Sequence, residues 1–461
     1  MGILNVLKKP ITLSKLPEGT SEITSEATVD SSGKVFNPID EVTYNSLKPC
    51  HHLLHHFTKK AHYVSPSDVS IVNSINNVSV AEISIVGNNL TVASNNGSKL
   101  VVPLIYSNFM LLGENEDLLL KFNDGLILKS TNENNDEILK IYRLSLLSCF
   151  ELISLHKSMT GILISNVGLK MNDIHIILNN DKYNFKDWCY IKSMDSNVKS
   201  EWQKCWVHID KSKKKNATIK FYKDNKNLSS KNILCYIESN TVSDIFAVPD
   251  NAGSTHRQFV DSVNSISIVG NVLHNTAIES SPTSPINSPQ VHMRSTSIAS
   301  AMTSMSNFSN TSAATNNSNT NSSISSTSTS TTTKSRKQPL IKSNNVAMNQ
   351  SGLLIKPVAH SGISQLETLI RSIIPMIDAT QLYGRPERFI VSKEDPKSLM
   401  FAFPRLPQTD YFNEEETNSY LSQPLPTLDE LIENGKNPSS NSLAVSALAD
   451  FIVNFRKYEN K

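Results

Sequence analysis

Between Ser295 and Thr333, 30 of 39 residues are Ser, Thr or Asn, and none is charged. Such a stretch cannot bury enough apolar surface to offset the ordering entropy of its backbone, so its composition predicts disorder. Whatever folds must therefore fold on either side of it. The acid-free span around it runs from Ser280 to Leu366 and carries Lys334, Arg336, Lys337, Lys342 and Lys356, a mildly basic tether. The tract also dilutes the apolar content of the 461 residues to 38%, below the roughly 45–50% usual for globular chains. Two folded stretches are left, about 47–275 and 351–412, followed by a tail. Residues 1–46 are polar and read as a disordered N-terminus.

In the first folded stretch, short β-type runs dominate. Val69–Val72, Val78–Val86, Leu90–Ala93 and Leu100–Leu112 are strand candidates, and Leu118–Phe122 and Leu126–Lys129 flank the turn Asn123-Asp124-Gly125. Asp136–His156 has helical spacing, with Ile138, Ile141, Leu144, Leu147, Cys149, Leu152 and Leu155 apolar. The pattern then restarts with Tyr183–Lys192, Trp202–Ile209, Ala217–Tyr222, Ile233–Ile237, Ile245–Val248 and Ser265–Val272. Its closing strand (Gly352–Val358) and helix (Ile363–Leu382) come only after the polar tract. Pro375 should kink or locally break that helix. Loop-closure entropy grows slowly with length, so a folded unit can tolerate such an insertion.

Charge and cysteine content exclude several classes. Lys+Arg 44 against Asp+Glu 42 leaves a net charge of +2, so net charge gives no argument for nucleic-acid binding, and no direct nucleic-acid contact is expected. Cys50, Cys149, Cys189, Cys205 and Cys235 include no Cys-x-x-Cys pair; an odd, scattered set reads as reduced intracellular thiols. No apolar run approaches the roughly 20 residues of a membrane span. The start MGILNVLKKP is short for a secretory signal, and Val6 stands where an acylation motif on Gly2 wants Ser or Thr. The expected location is cytoplasmic.

Three segments carry a family resemblance. They are Phe150-Glu151 through Thr160-Gly161-Ile162-Leu163; Phe185-Lys186-Asp187-Trp188 with Trp202–Val207 and Ile219–Tyr222; and Leu382-Tyr383-Gly384-Arg385-Pro386 with Asp395-Pro396 and Ser398–Phe401. In order and spacing the chain resembles fungal tandem pleckstrin-homology (PH) proteins over roughly residues 50–412. The fold this implies is α+β and mainly β: two PH-like seven-stranded β-barrels, each capped by a C-terminal helix. The expected divisions are 1–46; a degenerate PH-like domain at 47–160; second-domain strands at 161–278; a disordered insertion at 279–350; the last strand and helix at 351–386; and an extension at 387–461. A PH helix normally buries a Trp; Ile141 and Ser372 take that place here, so the second helix is expected to dock imperfectly.

The resemblance implies a non-catalytic adaptor with no cofactor, tied to the Not-type mRNA deadenylase complex and to polarised growth. Its implied partners are deadenylase subunits and proteins of the cell cortex or bud neck, where the chain would be enriched. The competing implication is a phospholipid-binding membrane-targeting module. Strong inositol-phosphate sites in this fold use a Lys ending the first strand and two cations, one apart, on the second, each forming charge-assisted bonds. Lys192 is in place, but Gln203 and Cys205 hold the other positions, and Lys204 between them should face the opposite side of the sheet. Lys211, Lys213, Lys214, Lys215 and Lys220 offer a weak anionic-lipid patch, or merely a solvated hairpin tip.

Cys50, His51, His52, His55, His56 and His62 include two i, i+4 His pairs suited to zinc. They lack the Glu of a zincin, and Leu53, Leu54 and Phe57 suggest a short docking helix instead, so no metal site is assigned. There is no Gly-rich phosphate loop or Gly-x-Ser-x-Gly elbow. Ser281, Ser284 and Ser288 each precede Pro, and His292-Met293-Arg294-Ser295-Thr296-Ser297 resembles a site for NDR/LATS-type kinases with Ser297 as acceptor. Each phosphate adds about −1.5 to −2 charges, enough to reverse the sign of the basic tether. Tyr383 and Arg385 are the candidate partner-binding residues, with Asp378 and Glu387 expected to cap helices or pair with Arg371, Arg385 or Arg388.

Overall fold

The structure, a computed structural model, describes residues 28–29, 35–36, 39–66, 68–72, 77–114, 117–131, 135–178, 185–194, 201–210, 217–250, 255–275, 346–349, 352–404, 408, 410–423 and 441–458. A short antiparallel pair, Thr28–Val29 with Val35–Phe36, precedes two short helices, α1 (Glu41–Ser46) and α2 (Lys48–Phe57). Asp40 caps α1 by accepting from Thr43 N at 3.0 Å. That helix corrects the reading of 1–46 as wholly disordered. α2 buries Cys50, Leu53, Leu54 and Phe57 on one side, as its apolar spacing suggests.

The first β unit contains β1 (Ala61–Val64), β2 (Val69–Val72), β3 (Asn77–Val86), β4 (Asn89–Ser94), β5 (Lys99–Pro103), β6 (Phe109–Glu114), β7 (Asp117–Phe122) and β8 (Ile127–Ser130). Its hydrogen-bonded order is β5-β4-β3-β2-β8-β7-β6. β1 and β2 pair with opposite ends of β3, so they act as one interrupted strand, and seven strand positions result. α3 (Asp136–Asn166) closes the unit and then continues ten residues past the expected end at His156. Its first turns supply Ile138, Ile141, Tyr142, Leu144, Leu146 and Cys149 to the first core. The fully buried Ile141 is backed there by Tyr142, Phe109 and Phe122, whose rings meet at about 6 Å.

The later turns of α3 belong to a second core, through Leu155, Met159 and Leu163. Gly161 lets Leu399 and Met400 approach; a Cβ there would lie 3.0 Å from the Met400 sulfur. A short helix α4 (Ile174–Leu178) leads into the second unit: β9 (Phe185–Ser193), β10 (Gln203–Asp210), β11 (Thr218–Tyr222), β12 (Ile233–Pro249), α5 (His256–Ser262), β13 (Val263–Asn275), β14 (Val346–Asn349), β15 (Leu353–Pro357) and α6 (Gln365–Thr380). β12 is 17 residues long and does the work of two expected strands. Its first part pairs with β11, and its whole length, with a register shift across 238–241, pairs with β13. The order β12-β11-β10-β9-β15-β13, with β12 returning to β13, is a closed six-strand barrel.

β15 lies between β9 and β13: Leu353–Pro357 pairs with Cys189–Ser193, and Leu353–Ile355 with Ile266–Ile268. Residues on both sides of 276–345 therefore share one barrel wall. Gly352, at φ +97°, opens this strand, and a Cβ there would collide with the Ile268 carbonyl. α6 starts at a Ser364 cap that accepts from Glu367 N at 3.1 Å. It buries Leu366, Leu369, Ile370, Ile373, Ile374, Met376 and Ile377. At roughly 1.5–3 kcal/mol for each buried aliphatic side chain, these outweigh the absence of a Trp at Ser372. Against expectation the helix docks fully, and the Ser372 hydroxyl is satisfied by donating to Thr368 O at 3.0 Å. Pro375 does not break it either, because the helix continues to Thr380.

Candidate functional site

The Leu382–Pro386 turn follows α6 with Tyr383 and Gly384 at φ 54° and 82°. A Cβ on Gly384 would collide with Arg388 O, so the tight turn needs glycine. The turn drives Tyr383 and Arg385 inward, to 4% and 5% exposure. Tyr383 Oη accepts from Ile245 N at 3.0 Å and donates to Asp244 Oδ1 at 3.3 Å. Lys157 pairs with the same Asp244 at 3.1 Å. Arg385 makes a bidentate pair with buried Asp378, Nε to Oδ1 at 2.6 Å and Nη2 to Oδ2 at 3.1 Å, and Nη2 also donates to Leu178 O. The expected Asp378 pairing is met, but the partner-binding reading of Tyr383 and Arg385 is corrected: both side chains face interior groups that a partner cannot reach without unfolding the turn.

Downstream, Leu399, Phe401, Ala402, Tyr411, Phe412 and Tyr420 enter the second core. α7 (Glu414–Leu421) has an Asn413–Glu416 capping box. At its other end Arg143 of α3 donates to the carbonyls of Tyr420, Leu421 and Gln423, a cation placed on the negative end of a helix dipole. Lys60 joins the same assembly, bonded to buried Glu151 at 3.0 Å and to Phe412 O at 2.8 Å. α8 (Asn441–Tyr458) completes it. Ala444 belongs to the first core, while Leu448, Ala449 and Ile452 belong to the second. The extension thus packs against both β units, and of these core residues only those of the Ser398–Phe401 segment stand in a motif the sequence singles out.

The outer face of the second barrel holds the other predicted cations. Strand alternation turns Cys189, Ile191, Cys205, Val207, Ile219 and Phe221 inward and buries them. Lys192, Lys204 and Lys220 fall on the opposite, outward side, and the Lys204 ammonium sits 5.2 Å from the Trp188 ring. Lys211, Lys213, Lys214 and Lys215 lie outside the described residues, as do Ser281, Ser284, Ser288 and Ser297.

Among the described residues no three His, Cys, Asp or Glu side chains are placed to share a metal ion. His51 instead packs against His256 and Phe259, with centroids 5.4 and 4.9 Å away. His156 is buried on α3 and stacked on Phe246 at 5.6 Å. Burial holds its imidazole neutral by lowering the pKa to about 4. The folded state thus binds fewer protons than the unfolded state, whose His titrates near 6.5. Stability should be intact above about pH 6.5 and fall toward pH 4, by on the order of 2–3 kcal/mol from this group. Acid titration of a His156→Phe chain, which keeps a stacking ring, should show a shallower loss than the parent; parallel curves would count against the assignment.

No helix among the described residues is long and apolar enough to cross a membrane. The sequence profile described as a fungal PH-like domain matches residues 170–312 and 321–401, which takes in the second barrel, the insertion within it and the turn after α6. The uncharacterized protein YJL016W of Saccharomyces cerevisiae is 34% identical over 482 aligned positions, covering 93% of this chain and 81% of that protein. The CCR4-NOT transcriptional complex subunit CAF120 of the same species is 25% identical over 284 positions, covering 60% of this chain and 20% of CAF120. With the second barrel closed by its capping helix and similarity running along nearly its whole length, the chain belongs to the fungal PH-like domain family.

Proposed function

We propose that the chain is a non-catalytic adaptor that works with the CCR4-NOT deadenylase complex at the cell cortex or bud neck. The observation that carries this reading is the similarity to CAF120, named as a subunit of that complex. The architecture supports it: Arg385–Asp378, Lys60–Glu151 and Arg456–Glu416 are ion pairs with at least one deeply buried member. These charged side chains are engaged in internal contacts rather than furnishing an open acid–base site. Phosphorylation of Ser281, Ser284, Ser288 and Ser297 would then regulate the adaptor by reversing the charge of its basic tether.

Affinity purification of the tagged chain, with and without phosphatase, tests the proposal. CCR4-NOT subunits should co-purify and their yield should change on dephosphorylation; recovery at background level in both arms would overturn it. Replacing Lys213, Lys214 and Lys215 together by Ala should leave cortical recruitment largely unchanged, because protein contacts carry it. Loss of recruitment in that variant would favour the phospholipid-binding module instead.

A further inference from the structure

All three tryptophans of the chain, Trp188, Trp202 and Trp206, lie on the outward side of the β9–β10 hairpin, where Trp206 also packs against a small outer cluster of buried Tyr222, Ile233 and Tyr236. The strand register arranges their neighbours in rows across the barrel wall. One row is Lys186–His208–Lys220, the next Trp188–Trp206–Tyr222, and the third Lys356–Tyr190–Lys204. Lys192 and the 38% exposed Trp202 follow at the hairpin end. Successive rows are two residues apart, about 7 Å along the strands. An aromatic row is thus flanked on both sides by cations.

The two kinds of group also meet directly. Trp188 and Trp206 contact edge to face at 5.4 Å. The Lys204 ammonium lies 5.2 Å from the Trp188 centroid, and that of Lys356 5.3 Å from Trp202. Two nearby acids are engaged, Asp187 with His360 at 2.8 Å and Asp250 with Lys356 at 2.5 Å, while the exposed Glu201 beside Trp202 adds one negative charge at the hairpin end. Lys186, Lys192, Lys204 and Lys220 form no ion pair with another described residue. The positive face has an acidic margin, since the next row beyond Lys220 holds Asp210, Thr218 and Glu238.

We propose that this face binds single-stranded nucleic acid, with bases against the tryptophan row and phosphates on the lysine rows. Charge complementarity selects a polyanion, and the aromatic row selects one with planar groups spaced between its charges. A bilayer fits less well. The ammonium groups lie over the indoles, so sinking those rings into hydrocarbon would drag the charges with them. The near-zero net charge of the whole chain does not oppose the proposal, because the cations are concentrated on one wall of one barrel.

The tryptophans provide their own readout, because every indole of the chain is on the proposed surface. Fluorescein-labelled oligouridylate should bind the full chain at low salt and quench its tryptophan emission. A Lys204→Glu/Lys220→Glu chain, altered only at outward positions, should keep its melting temperature and bind about tenfold or more weakly. Its log–log salt slope should be shallower by about 1.4, since each single-strand phosphate contact contributes about 0.7. A Lys186→Glu chain supplies an independent loss on the opposite side of the tryptophan row. Absence of binding, binding unchanged in folded variants, or emission that responds to phosphatidylcholine–phosphatidylserine vesicles but not to RNA would each overturn the proposal.

Discussion

An Arg385→Ala chain is expected to lose about 3–5 kcal/mol of stability, the cost typical of breaking a buried ion pair by removing one partner. The substitution leaves the Asp378 carboxylate, whose side chain is fully buried, without its bidentate cation. It also removes the donor to Leu178 O and the guanidinium stacked 5.3 Å from Phe389. Urea unfolding would measure the loss. A double Asp378→Ala/Arg385→Ala chain should recover part of it, because no lone charge then remains in the interior. If Arg385→Ala alone were as stable as the parent, the side chain would have to be at the surface and the partner-binding reading would return. Loss of a partner in pull-downs of Arg385→Ala should therefore be interpreted only beside its melting curve.

The second large effect is expected at Asn441, the first residue of α8. Its Nδ2 donates to Tyr106 O at 2.6 Å and to Phe109 O at 3.0 Å, and its Oδ1 accepts from Tyr142 Oη at 2.9 Å. Phe109 starts β6, a strand at the end of the first sheet's hydrogen-bonded order, so the amide supplies a donor that no neighbouring strand provides. Asn441→Ala would leave three buried polar groups without these bonds, at about 1–3 kcal/mol for each group left unsatisfied. A total near 3 kcal/mol is expected, concentrated in the first unit. Amide exchange should reveal it as faster opening of β6 and β7 with the second barrel's strands little changed. Uniform loss of protection across both units would instead mean that α8 acts only through the common core.

Arg385 stands out in the sequence, though as a surface residue, whereas nothing in the sequence marks Asn441 as a structural tie. The β strands were legible where aliphatic residues alternate between polar turns, as in Asn77–Val86 or Phe185–Ser193. β12 was not legible as one strand, because Glu238-Ser239-Asn240-Thr241 looks like a break and is instead a shift of register. The apolar spacing that marks α3 in the sequence ends at Leu155, yet the helix runs on to Asn166 through Thr160-Gly161, a pair of poor helix propensity. Only the arrival of Leu399 and Met400 from far along the chain accounts for that glycine.

The candidate site divides along the same line. Alternation alone placed Lys204 on the outside of the barrel, and the structure agrees. That the lysines and tryptophans fall into alternating rows depends on inter-strand register, which no single strand's sequence specifies. Tyr383 and Arg385 were misplaced for a related reason. A Tyr and an Arg in a Gly-Pro turn resemble surface residues until Asp244, Ile245 and Leu178 are seen to converge on them.

Phe185–Asn275 and Leu353–Thr380 together build one barrel. The most direct measurement is to place a site-specific protease sequence between Ser300 and Thr333, cleave the purified chain, and follow the two fragments by native size-exclusion chromatography and thermal melting. Because β15 pairs on both sides within the barrel and α6 fills its core, the fragments should co-elute at the intact position and melt in one transition. Fragments that separate without denaturant, each retaining its own melt, would contradict the shared barrel.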